Sequence, residues 1–224
     1  MIQCYNDFVA ALLSAGFTVG GHNGEGVYAL GEQFGDRVNW HTGDPDTDPW
    51  QWRMRVLDER NDIAYGKMFF RKSGFITRDW YPYFLAARRG GLEFEDAYAD
   101  GAYSNAAKRV YTVVAERGAL PVHTLRQHAG FGRDEASAFE RALVDLQTGL
   151  FLTICGYAQK RSQAGVEYGW MSAVLCTIEQ FWGAEVFDRA AALTERDAAD
   201  ALTRQVLTLN PQADPKKMRR FIYG

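Results

Sequence analysis

The chain has 224 residues, a formal net charge of −3 and 47% hydrophobic residues. That is enough for one or two domains with a real core, and it gives no global attraction to nucleic acid or membrane. No apolar run approaches the roughly 20 residues needed to cross a bilayer. The N-terminus lacks the basic start and apolar core of a secretory signal, so a cytoplasmic protein with no membrane partner is expected.

Cys4, Cys155 and Cys176 form no CxxC pair. They read as buried small side chains in a reducing compartment. With no metal-ligand spacing and no phosphate fingerprint, no cofactor is expected.

Residues 1–49 are acidic, with Arg37 as the one cation. Phe8, Ala11 and Leu12 suggest a short helix that Gly16 closes. Gly20, Gly21, Gly24 and Gly26 do not make GxGxxG and read as a loop. Asp44, Asp46 and Asp48 alternate like the start of a calcium loop. Pro49 stands where that loop needs Gly, and Arg55 where it needs Glu. A solvated Asp/Pro turn is the reading.

Residues 50–90 are aromatic and basic. Arg53, Arg55, Arg60, Lys67, Arg71, Lys72, Arg78, Arg88 and Arg89 interleave with rings such as Trp50, Trp52, Phe69, Phe70, Trp80 and Phe84. Such a surface can hold phosphates and stack bases. More often such rings are core, with cationic stems lying over them, and that is the favoured reading. Thr77 is expected to cap a helix running through Arg88, which Gly90-Gly91 breaks. Residues 91–103 form a link.

Residues 104–178 predict a winged helix, three helices followed by a hairpin. Ser104 caps the first helix, Ala107, Val110, Tyr111 and Val114 line it, and Gly118 stops it. Val122, Leu125 and Ala129 share a face of the second. Phe139, Ala142, Leu143 and Leu146 form the stripe of the third. Phe151 to Cys155 and Tyr168 to Cys176 read as strands, with the tip at Gln159 to Gly165.

The outward face of the third helix carries Ser137, Glu140, Arg141, Val144 and Thr148, a poor match to phosphates. Lys160 and Arg161 at the tip suit them better. His123 and His128 match no ligand spacing and read as polar surface.

After Glu179, one helix is expected to carry Phe181, Trp182, Val186 and Phe187. Thr194 with Asp197 opens another, and Asp214 with Pro215 a last one. Lys216, Lys217, Arg219 and Arg220 make this end basic.

Several segments resemble one family. They are Asp48-Pro49-Trp50-Gln51-Trp52-Arg53, Tyr65-Gly66-Lys67-Met68-Phe69-Phe70, Phe75-Ile76-Thr77, Tyr81-Pro82-Tyr83-Phe84, and Phe139 to Gln147 within the winged helix. Together they resemble the winged-helix proteins related to the AlkZ (YcaQ-type) DNA glycosylases, over most of residues 48–224. The resemblance implies tandem winged helices around a DNA channel. It also implies, for the active members, base excision by a Gln followed two residues later by Gln or Asp. Gln33 is followed by Phe34-Gly35 and Gln51 by Trp52-Arg53. On that basis the motif is expected to be missing.

The expected fold is therefore α+β and helix-rich, in three parts. An N-terminal aromatic region covers 1–103, a winged helix 104–178 and a C-terminal helical segment 179–224. The expected function is noncatalytic, either nucleic-acid binding with little sequence specificity or a protein-interaction module. The alternatives are a divergent base-excision glycosylase and a small-molecule sensor with a pocket between the aromatic segment and the winged helix. The partner is double-stranded DNA or a protein. The expected DNA contacts are Arg71, Lys72, Arg88, Arg89, Lys160, Arg161, Lys216, Lys217, Arg219 and Arg220.

Overall fold

The computed structural model describes residues 1–22, 24–161 and 165–224, with Arg161 described by its backbone alone. The chain is α+β and divides into two compact units, residues 1–91 with 184–224, and residues 92–183. Each unit contains three antiparallel strands.

The first unit begins with α1 (Tyr5–Ala15), which buries Phe8 and Leu12 and ends at Gly16, whose φ of 89° only glycine adopts freely. Strand β1 (Phe17–Val19) follows, and then a long connection to α2 (Pro49–Glu59). The expectation of a plain turn at 44–49 misses this helix. Asp48 is its N-cap, with Pro49 in the first turn. The Asp48 side chain is fully buried. Its oxygens accept the backbone N–H groups of His41, Gly43 and Trp50 at 2.8–3.0 Å.

Strands β2 (Ile63–Phe69) and β3 (Lys72–Thr77) pair through a two-residue turn, Phe70-Arg71, with both residues at positive φ. Helix α3 (Tyr81–Arg89) starts after Trp80, not at Thr77. Thr77 belongs to β3, and its buried hydroxyl caps nothing.

The second unit holds α4 (Phe94–Ala99), α5 (Asn105–Arg117), β4 (Leu120–Pro121), α6 (Val122–His128), α7 (Ala136–Thr148), β5 (Leu152–Arg161), β6 (Glu167–Thr177) and α8 (Ile178–Trp182). The Ser104 hydroxyl accepts the N–H of Ala107 at 3.2 Å, as its cap role requires. Phe94, Val110, Val114, Leu125, Phe139, Leu143, Leu146 and Phe151 form one core. Strand β6 pairs with both β4 and β5.

One side chain fixes the turn between α6 and α7. Arg109 on α5 donates to Ala129 O at 3.0 Å, Gly130 O at 2.7 Å and Glu135 Oε1 at 2.7 Å. Glu135 Oε2 then accepts the Gly132 N–H at 3.0 Å. The Arg109 hydrogen bond, followed by that of Gly132, holds the Glu135 carboxyl below the usual Glu range.

The expected single helix after Glu179 is broken at Gly183, where φ is 70°. Thr177 and Gln180 form a capping box at the start of α8. The chain then returns to the first unit as α9 (Ala184–Ala191), α10 (Glu195–Leu209) and α11 (Pro215–Tyr223). These three pack on α3. Phe221 of α11 is fully buried and stacks on Phe69, with ring centroids 4.1 Å apart.

Candidate nucleic-acid interface

The β5–β6 hairpin carries the densest exposed aromatic surface of the second unit. Its pairing is regular from Leu152↔Thr177 to Ile154↔Leu175, and further out Ala158 faces Ser172 and Lys160 faces Tyr168. Between those last two pairs, Gln159 alone faces Gly169, Trp170 and Met171. The extra residues form a bulge on β6, and Gly169 supplies its positive φ of 66°. Gln159 Nε2 holds the bulge by donating to Tyr168 O at 3.1 Å and Gly169 O at 3.0 Å. Trp170 is turned outward and is 85% exposed, with Val166, Tyr168 and Met171 also exposed.

Lys160 lies on this arm, paired with Tyr168. It is close enough to α6 that its charge, after burial, lowers the pKa of His123. His123 is half-buried, and its buried Nδ1 has no hydrogen-bond partner among the described residues, which corrects its reading as plain polar surface. His128 is exposed. The Arg161 side chain and residues 162–164, the middle of the expected tip, lie outside the described residues.

On α7, Leu143 and Leu146 are buried, while Ser137, Ala138, Glu140 and Arg141 are exposed. Its open face therefore sets an acid beside its base. Trp170, Tyr168 and Met171 were not singled out in the sequence. The available signal was Gly169 interrupting the strand pattern just before Trp170.

The other basic candidates belong to the first unit and split into two groups. Arg71 is exposed in the β2–β3 turn, and Lys216, Lys217, Arg219 and Arg220 are exposed on α11. Lys72 Nζ sits 2.6 Å from the Glu25 carboxylate. The Lys72 hydrogen bond lowers the Glu25 pKa, with further contributions from Lys217 and Arg220. Lys72, Lys217 and Arg220 thus gather around one acid that offsets part of their charge.

Arg88 and Arg89, also expected as DNA contacts, do not join them. Arg88 donates to Met68 O at 2.8 Å, Phe221 O at 2.6 Å and Ile222 O at 2.8 Å. Its guanidinium is committed to the backbone of α11 and β2. Arg89 is 5% exposed, and its head lies 5.3 Å from the Phe187 ring.

The expected absence of a Gln-x-Gln/Asp motif also needs correction, because Gln212-Ala213-Asp214 has that spacing. Here Asp214 is the N-cap of α11, its Oδ1 accepting the Lys217 N–H at 2.8 Å. Gln212 is exposed, and its N–H donates to Asn210 Oδ1 at 3.1 Å. The pair thus sits on an open surface, and its acid caps a helix.

An apolar cavity of about 130 Å³ lies wholly within the first unit, lined by residues between Phe8 and Phe75. None of its described lining residues is an acid. Among the described residues, no group of three or more His, Cys, Asp and Glu is placed to hold a metal. No helix there is long and apolar enough to cross a membrane.

No curated protein and no solved structure matches the chain. A model of the AlkZ-related family matches residues 2–223. With nearly every residue covered, the chain belongs to the AlkZ-related family.

Proposed function

We propose that residues 104–178 form a winged helix that holds double-stranded DNA, noncatalytically and with little sequence discrimination, through its β5–β6 arm. The observation that carries this reading is Trp170, 85% exposed on a bulged hairpin beside Tyr168 and Met171. The order α5–β4–α6–α7–β5–β6 supports it, as does membership in a family related to a DNA glycosylase. The Arg109–Glu135 ion pair ties α5 to the start of α7, and α6 also packs on α5.

In this reading the arm, not α7, makes the main contact. In an intact duplex the base faces are already stacked, so Trp170 would lie against sugars and groove edges or wedge into a base step that it must partly unstack. Lys160 meets a phosphate and releases counterions. On α7, Glu140 beside Arg141 would oppose phosphates, so readout of base edges in the major groove is weak.

The test is fluorescence anisotropy with a labelled duplex at low salt. Trp170→Ala should weaken binding about fivefold or more, a loss of about 1 kcal/mol or above as for an aromatic residue central to an interface. Ser137→Ala and Thr148→Ala should change it little. Equal affinity of Trp170→Ala and the parent would remove the arm from the interface.

A further inference from the structure

The DNA reading leaves the cavity of the first unit unused, and that cavity has a definite chemical character. Its walls are rings, with Phe34, Trp40, Trp50, Trp52, Tyr65 and Phe75 among them. One side is bare backbone. Gly20 donates its N–H to Ser73 O at 2.7 Å, and a Cβ there would come within 2.9 Å of that oxygen. A Cβ on Gly31 would sit 2.9 Å from Gly21 O. The two segments meet backbone to backbone, which only glycine allows.

Size limits the occupant. The cavity is about 130 Å³. An engineered protein cavity of about 150 Å³ takes one benzene. A single six-membered ring fits, and a fused bicycle does not fit inside.

Charge limits it further. Among the described lining residues, Arg53 carries the charge. Its guanidinium carbon lies 3.4 Å over the Trp50 ring, and its Nε donates to Trp50 O at 3.0 Å. Trp50 is itself fixed by the Asp48 cap. A cation is therefore already stacked on the aromatic wall. A ligand ammonium would meet a like charge, whereas a carboxylate or phosphate would meet a planar donor suited to it.

A second cavity of about 320 Å³ shares Val19, Gly20, Gly21 and Ser73 with the first and is lined by both Lys72 and Glu25, which form an ion pair at 2.6 Å. An anionic tail longer than one carboxylate would reach a second cation there only by displacing Glu25 from Lys72.

We propose that this cavity is a binding site for a single-ring aromatic anion, with the ring between Trp50, Tyr65 and Phe75 and the acid group at Arg53. Two sources carry that chemistry, a free aryl carboxylate and a pyrimidine nucleotide. This site is separate from the DNA contact and does not depend on it.

The experiment titrates the full chain with benzoate, benzylamine and uridine monophosphate, followed by tryptophan fluorescence and calorimetry. Benzoate or the nucleotide should bind saturably, and benzylamine should not. Arg53→Gln should weaken that binding about tenfold, the scale of one charged hydrogen bond. Gly21→Leu is the second variant. A Cβ at Gly21 meets nothing within 4 Å, so the fold should tolerate it while the added side chain closes the space. Near-UV circular dichroism checks that both variants remain folded. If the nucleotide binds tighter than benzoate and Lys72→Ala removes the difference, the source is a nucleotide. If benzoate binds as well as the nucleotide, the source is an aryl acid. Equal binding of benzylamine and benzoate would overturn the proposal. So would unchanged affinity in both Arg53→Gln and Gly21→Leu, or no binding of any probe at millimolar concentration.

Discussion

Replacing Arg88 with Met separates a structural cation from a DNA contact. The Arg88 guanidinium donates to three backbone carbonyls at 2.6–2.8 Å, two of them on α11. Hydrogen bonds from a charged donor are worth about 1.5–3 kcal/mol each. The three share one partly buried guanidinium and do not add, so a total of about 2–4 kcal/mol is the working figure. The guanidinium carbon also lies 5.5 Å from the Phe69 ring and 5.3 Å from the Phe84 ring, so the loss in Met includes those cation–ring contacts. Urea unfolding measures the change directly. In a chain of this size, each kcal/mol lowers Tm by about 2–4 °C. Amide exchange should locate the loosening in α11 and in β2 near Met68. A change below about 0.5 kcal/mol, the range of ordinary surface substitutions, together with weaker DNA binding, would refute the reasoning.

Three other outcomes follow from the structure. Leu143→Ala should cost about 2–5 kcal/mol in urea unfolding, because Leu143 is buried in the core of the second unit. The pH dependence of stability should carry the Glu135–Arg109 pair. The folded Glu135 pKa is depressed, so its contribution is present above the ordinary Glu value and is lost as pH falls through the lowered one. The gap between the melts of the parent and Glu135→Gln should narrow as pH falls from the ordinary Glu value through the lowered one, and a constant gap would contradict this. Incubated with alkylated or crosslinked duplexes, the protein should release no base above a no-protein control. Release abolished by Asp214→Asn would make Gln212-Ala213-Asp214 a working motif instead of a helix cap.

The elements of the second unit were legible because their signals are local. Ser104 and Gly118 punctuate α5, and the stripe Phe139, Ala142, Leu143, Leu146 has the helical period. The first unit hid more. Its rings and cations obscured α2, although Asp48-Pro49 is a helix-start pair. Counting charge could not show that Arg88 ends on carbonyls more than 130 residues away, or that Arg89 is buried. Gln212-Ala213-Asp214 was visible as a string, but its role as a cap depends on where α11 begins. The sequence reading places Trp170 in the strand Tyr168 to Cys176 without assigning it a face. The register shift after Gly169 turns it to solvent, and a register shift depends on the partner strand.

The central claim, DNA binding through the arm, is tested most directly by the salt dependence of duplex affinity. The parent should bind a short duplex at about 50 mM salt, and log K should fall linearly with log salt as phosphate contacts release counterions. Lys160→Ala should flatten that slope by about 0.9, and Lys160→Ala with Arg161→Ala by up to about two. Glu140→Ala on α7 should leave the slope unchanged. No binding at about 50 mM salt, or the same slope in the parent and the double variant, would contradict the account and favour a protein partner for the arm.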